Sequence, residues 1–218
     1  MTAFQNLKKL FKLHADENTA RQMAAYMRGQ FKYYGIPTPQ RRALSKPFLG
    51  KKSDAIDWGF VTACWGAEAR EFQYIAMDYL YLRTAQLTKA DVPEIRAFAE
   101  AKSWWDTIDG LDQLVGAIAQ KDKSVKQLLL KWSKDKNFWI RRMAIDHQLN
   151  YRDKTDTTLL AAIIENNFGQ TEFFINKAIG WALREYSKTD PRWVREFLAR
   201  HAERLSPLSL REAGKYIG

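Results

Sequence analysis

The chain has 218 residues, enough to bury a core of its own, and 35 Lys and Arg against 25 Asp and Glu leave a formal charge of +10. Such an excess of cations favours a polyanionic partner, nucleic acid or an anionic surface, over an acidic one. A single cysteine, Cys64, excludes an internal disulfide and fits a reducing compartment such as the cytoplasm.

Nearly every segment carries apolar residues at the helical period. The opening run MTAFQNLKKLFKLHADEN interleaves lysines with apolar residues, so it reads as a helix over about 4–14 and not as a signal peptide. In NTARQMAAYMRGQFKYYG, Asn18 or Thr19 caps a helix, Met23, Tyr26, Met27 and Phe31 recur at spacings of three and four, and Gly35 stands at its end. The turn GIPTPQRR follows, with Pro39 suited to a first helical turn and Arg41 and Arg42 opening the next helix. Further helices are expected over about 53–65, 69–86, 89–102, 103–120, 123–133, 137–150, 156–167, 171–187, 190–203 and 206–216. No stretch of about 18 apolar residues suggests a membrane span, and no Pro/Ser-rich linker divides the chain, so residues 1–218 are read as one all-α domain.

A weak repeat runs through the helices. EFQYIAMDYL (71–80), SWWDTIDGLD (103–112), NFWIRRMAID (137–146) and EFFINKAIGW (172–181) each begin with a polar residue followed by an aromatic, and Phe72, Trp104, Phe138 and Phe173 lead them. That recurrence, every 32, 34 and 35 residues, fits two helices per unit and an α-solenoid of HEAT-like two-helix repeats with a concave basic groove. Equivalent helices then line one wall. Asp109, Arg142, Lys177 and Trp181, each a few places after a leading aromatic, are expected to meet in space.

Within SWWDTIDGLD, Trp105 and Asp109 are four apart and share a helical face, while Trp104 turns about 100° away toward the expected core. An isolated WxxxD is more often a packing feature, with Trp105 filling a gap and Asp106 a first-turn carboxylate. Here the company of Arg142 and Trp181 on the same wall favours a site. The cations gather in three groups: Arg28, Lys32, Arg41, Arg42, Lys46, Lys51 and Lys52; Lys134, Lys136, Arg141 and Arg142; Lys177, Arg184, Lys188, Arg211 and Lys215. Each alone is a solvated charge, but spaced along a curved array they make a track for a phosphate backbone. His14, His147 and His201 are scattered, and no phosphate-cradling glycine motif or nucleophile elbow occurs, so neither a metal nor another cofactor is expected.

The runs MAAYMRGQFKYYGIPTPQRR, AKSWWDTID, NFWIRRMAID, EFFINKAIGWALREYSKTDP and LSPLSLREAGKYIG resemble, in the same order and nearly end to end, those of the AlkD-type HEAT-like-repeat DNA glycosylases, the bacterial DNA alkylation repair enzymes. The resemblance implies a monofunctional glycosylase, acting as a monomer on duplex DNA at the nucleoid and hydrolysing the N-glycosidic bond of cationic N3- and N7-alkylated purines. It implies the catalytic carboxylate at Asp109, flanking indoles at Trp105 and Trp181, and the nearby cation at Arg142, which is expected to hold a phosphate. Tyr26 and the 19–46 region, with Arg28, Lys32, Arg41, Arg42 and Lys46, would engage the DNA, joined by Arg141 and Lys177. The family works from the backbone side of the duplex, leaving the lesion unflipped. Two alternatives remain: a paralogue without excision activity that binds DNA, branched DNA included, and a protein-interaction scaffold.

Overall fold

The computed structural model describes residues 1–217, which form thirteen α-helices linked by short turns and 3-10 segments, with no strand among the described residues. The chain packs as two compact units, Met1–Gln86 and Leu87–Gly218. No helix among the described residues is long and apolar enough to cross a membrane.

The first unit holds α1 (Ala3–Leu13), α2 (Glu17–Tyr26), α3 (Thr38–Ser45), α4 (Trp58–Gly66) and α5 (Glu71–Leu82). Thr2 and Gln5 close a capping box at the start of α1, and Leu7 and Phe11, four residues apart, bury its inner stripe. Phe11, Tyr34 and Phe72 pack ring against ring, with Phe4 on the edge of Phe72. Cys64 lies buried on α4, where burial pushes its thiol up to about 12.

The segment after α2 departs from the sequence expectation. The cap is Asp16, whose carboxylate accepts from the Thr19 amide, and the helix stops at Tyr26 instead of running on to Phe31 and Gly35. Arg28 and Gly29 take positive φ values of 54° and 71°, the left-handed geometry that ends helices. The chain then doubles back. Gly35 (φ 83°) lies against the beginning of α2, where a Cβ would sit 2.0 Å from the Asp16 carbonyl oxygen. Lys32 makes an isolated bridge with Ala69, and buried Glu71 accepts from the amides of Gly35 and Ile36. Helical spacing had carried through a region whose glycines serve a turn and a close backbone approach.

The second unit holds α6 (Val92–Glu100), α7 (Trp105–Lys121), α8 (Val125–Trp132), α9 (Phe138–Asp146), α10 (Thr157–Glu165), α11 (Phe173–Ser187), α12 (Pro191–His201) and α13 (Pro207–Ala213). Its packing is that of a helical repeat: α7 lies on α9, α9 on α11 and α11 on α13, while α6, α8, α10 and α12 pack beside them. The aromatics expected at 34- and 35-residue intervals stand at the starts of α7, α9 and α11. Trp104 is only half-buried, not the core residue expected. It caps α7 in extended geometry and meets Trp139 and Phe174 at 5.9 and 5.5 Å between ring centroids. The apolar stripe of α7, Ile108, Leu111, Leu114, Val115 and Ile118, is buried, each side chain contributing about 1.5–3 kcal/mol of transfer free energy.

Candidate functional site

The repeat stacks helices that are remote in sequence, and so brings equivalent faces together. Asp109 is one turn into α7, Arg142 one turn into α9, and Trp181 in the middle of α11. Arg142 Nε donates to Asp109 Oδ1 at 2.7 Å and its Nη2 to Asp109 Oδ2 at 2.9 Å, a two-pronged ion pair between α9 and α7. Its third nitrogen, Nη1, donates to the Phe174 carbonyl of α11 at 2.7 Å. One guanidinium thus ties three consecutive repeats together.

Arg142 is only 2% exposed, against 21% for Asp109. The carboxylate therefore faces out over a buried cation. Burial alone would lower the affinity of the guanidinium for its proton, but Asp146 and Asp109 more than reverse this, with a further contribution from Asp112, and hold it charged. Three of its five N–H groups are taken by Asp109 and the Phe174 carbonyl and its side chain is buried, a geometry that favours a clamp on Asp109 over the phosphate contact expected of it.

Trp181 stands among cations. The Arg142 and Arg184 guanidinium carbons lie 5.5 and 5.6 Å from its ring centroid, and Lys177 Nζ lies 5.6 Å away. Lys177 and Arg184 are in turn held by Glu212 of α13, at 2.8 and 3.0 Å. Hydrogen bonds from Lys177 and Lys215 keep the Glu212 carboxylate down to about 2. Trp105 opens α7 one turn before Asp109, on the same face. Asp106 is a first-turn carboxylate, as expected.

Behind Arg142 lie two carboxylates that the sequence reading left unassigned. Asp146 Oδ2 is 3.6 Å from Arg142 Nη2, and Asp112 is fully buried on α7. Oxygens of Asp109, Asp112 and Asp146 all lie within 4.8 Å of one another. A divalent ion among them would compete with the guanidinium, which already takes both Asp109 oxygens, so these residues do not fit a metal. The signal was present in the spacing: Asp112 is three residues after Asp109 and Asp146 four after Arg142, each on its partner's helical face.

The remaining candidates fall into two groups. Tyr26, 72% exposed, and Arg28, Lys32, Arg42 and Lys46 lie on the surface of the first unit, with Lys32 paired to Glu68 at 2.6 Å. Arg41 does not. It is buried beneath α5, with Nη2 on Asp78 at 3.1 Å and its guanidinium over Tyr74 at 4.8 Å. Its position on the inward stripe of α3 explains the difference from its neighbour. In the second unit Arg141 donates to the Asp135 carbonyl and Gln170, and Lys177 to Glu212, both half-buried.

The family model of the DNA alkylation repair enzymes matches residues 7–217. A solved structure described as a predicted DNA alkylation repair enzyme from Enterococcus faecalis superposes with a TM-score of 0.87 at 35% identity, over 94% of this chain and 97% of that one. No curated protein matches. The family match runs through both units, across the Asp109, Arg142 and Trp181 constellation and nearly to the end of the chain, and the protein belongs to the DNA alkylation repair enzyme family.

Proposed function

We propose that the protein is a monofunctional DNA glycosylase that hydrolyses the N-glycosidic bond of cationic N3- and N7-alkylated purines in duplex DNA. The observation that carries this reading is the outward-facing Asp109 carboxylate, fixed at both oxygens by buried Arg142 and accompanied by the indoles of Trp105 and Trp181.

An alkylated purine already bears a positive charge. When the bond from its ring nitrogen to C1′ breaks, the electron pair moves to the base and neutralises it, so little general-acid help is needed. The charge then resides on the deoxyribose, which becomes oxocarbenium-like. Asp109 stabilises that cation and orients a water, whose oxygen bonds to C1′ as its proton passes to the carboxylate or to solvent. A fixed partner of this kind typically contributes about 3–4 kcal/mol. The indole faces attract the cationic sugar and base, with about 0.5–2 kcal/mol per contact. Clamping at both oxygens matters because a carboxylate held in place needs no reorganisation as the charge develops. Needing no lysine nucleophile, this chemistry leaves an abasic site in an intact strand.

Tyr26, Arg28, Lys32, Arg42 and Lys46 of the first unit, and Arg141 and Lys177 of the second, supply the contacts to DNA in this reading, and the enzyme acts as a cytoplasmic monomer. The test is Asp109→Asn on methylated duplex DNA. Excision should fall roughly a hundredfold or more while DNA binding is retained. Undiminished excision would remove Asp109 from the chemistry.

A further inference from the structure

The charges around Arg142 do not balance if every acid is ionised. Three carboxylates, Asp109, Asp112 and Asp146, bring oxygens within 4.8 Å of one another around a single guanidinium. Asp112 and Asp146 are buried, and all four of their oxygens lack a hydrogen-bond partner. Two buried anions without a second cation, and with only the Gln113 amide acting on Asp112 as a donor, would be strongly unfavourable.

Nor do neighbouring helices supply the missing charge. Arg96 of α6 is committed to Glu100 and Asp135, Lys126 of α8 to Asp156, and Lys177 and Arg184 of α11 to Glu212 of α13. Next to Asp146, His147 directs Nδ1 at the Ala144 carbonyl, and Arg141 turns to Asp135 and Gln170. The charged groups acting on Asp112 are Asp146, Asp109 and Arg142.

We propose that Asp112 and Asp146 retain one proton between them at neutral pH, and that this buried proton turns Arg142 toward Asp109. The pair is a positioning device for the carboxylate, and its effect on catalysis rests on the glycosylase reading above. With one proton retained, Arg142 has one anion behind it and one in front, and the front one wins by geometry: two hydrogen bonds at 2.7 and 2.9 Å against a 3.6 Å approach to Asp146. Loss of the proton places two anions behind, and the guanidinium is drawn inward, leaving Asp109 without its clamp. Burial, reinforced by Asp109 and opposed by Arg142, raises Asp146 to about 7, and burial with the neighbouring acids Asp146 and Asp109 raises Asp112 well above the ordinary carboxylate range, the direction a retained proton requires.

Two measurements on the whole protein test this. Infrared spectra of protein carrying isotope-labelled aspartate should show a protonated-acid carbonyl band at neutral pH, sensitive to deuteration, that is lost at alkaline pH and absent from Asp112→Asn. Single-turnover excision, corrected for spontaneous base loss, should fall about tenfold in the wild type between neutral and alkaline pH. In Asp112→Asn, where one member is permanently neutral, the profile should be flat whatever its absolute rate. Asp146→Asn provides the same comparison if the first variant does not fold. Absence of the carbonyl band from the wild type, or an alkaline fall that persists in the Asn variants, would overturn the proposal. So would excision abolished by a chelator and restored by magnesium, since a cation would then replace the proton. The infrared arm requires no activity: failure there rejects the proton pair alone, whereas a normal band with no excision at any pH rejects the glycosylase reading alone.

Discussion

Neighbouring arginines in this chain do different work, and exposure separates them. Arg42 is 67% exposed, with only a 3.9 Å approach to Asp78, whereas Arg41 and Arg142 are buried in ion pairs. Only an exposed cation can release counterions by meeting a phosphate. Arg42→Ala should therefore reduce the slope of log K against log salt by about 0.9, one phosphate. Arg142→Ala should leave that slope unchanged while lowering excision, and Arg41→Ala should appear as lost stability. A slope reduced by Arg142→Ala would mean that its guanidinium leaves Asp109 to meet the backbone.

The buried His147 connects one residue to the stability of the whole chain. Burial lowers it to about 4, partly offset by its hydrogen bond to the Ala144 carbonyl. Between that value and the ordinary histidine value the unfolded chain binds the extra proton, so stability falls as the pH drops through this window. The raised Asp146 acts in the opposite sense: the folded state holds its proton, and stability falls as the pH rises toward 7. Substitution isolates the histidine. Relative to wild type, His147→Gln should be more favourable at about pH 5 than at neutral pH by about 2 kcal/mol, as read from denaturant unfolding. An unchanged difference would show that His147 titrates as if exposed.

At the scale of elements, the approach of α13 to α11 governs the cations around Trp181. A Cβ on Gly180 would lie 2.5 Å from the Glu212 Cβ and 3.1 Å from the Ser209 carbonyl oxygen, so the helices meet through this glycine. Gly180→Ala should cost about 1–3 kcal/mol in unfolding free energy, through overpacking. By displacing Glu212 it should also loosen Lys177 and Arg184 and lower excision. Retention of both stability and rate would mean that α13 shifts freely.

Most of the helices were legible because they expose a polar face and bury an apolar one, as the 17 residues of α7 do. Their ends were less so: expected spans such as 89–102 and 206–216 shortened to Val92–Glu100 and Pro207–Ala213, where 3-10 turns take over. The meeting of Asp109 with Arg142 followed from a repeat that sets equivalent positions side by side. Asp112, Asp146 and Glu212 escaped notice because an acidic residue in a helix reads as solvated, and their burial depends on which neighbour covers them. Arg41 and Arg42 were indistinguishable for the same reason.

For the whole molecule, a net charge of +10 and a family match from residue 7 to residue 217 agree on a DNA substrate and on repair of alkylation damage. In the proposed reaction one fixed carboxylate, Asp109, carries the chemistry and no covalent intermediate is needed. The most direct measurement is to incubate the wild-type protein with methylated duplex DNA, then assay released bases and strand integrity together. Free 3-methyladenine and 7-methylguanine should appear, with abasic sites in strands that remain unbroken until heated in alkali. Bound DNA from which no base is released, or strand cleavage accompanying release, would contradict the proposed reaction.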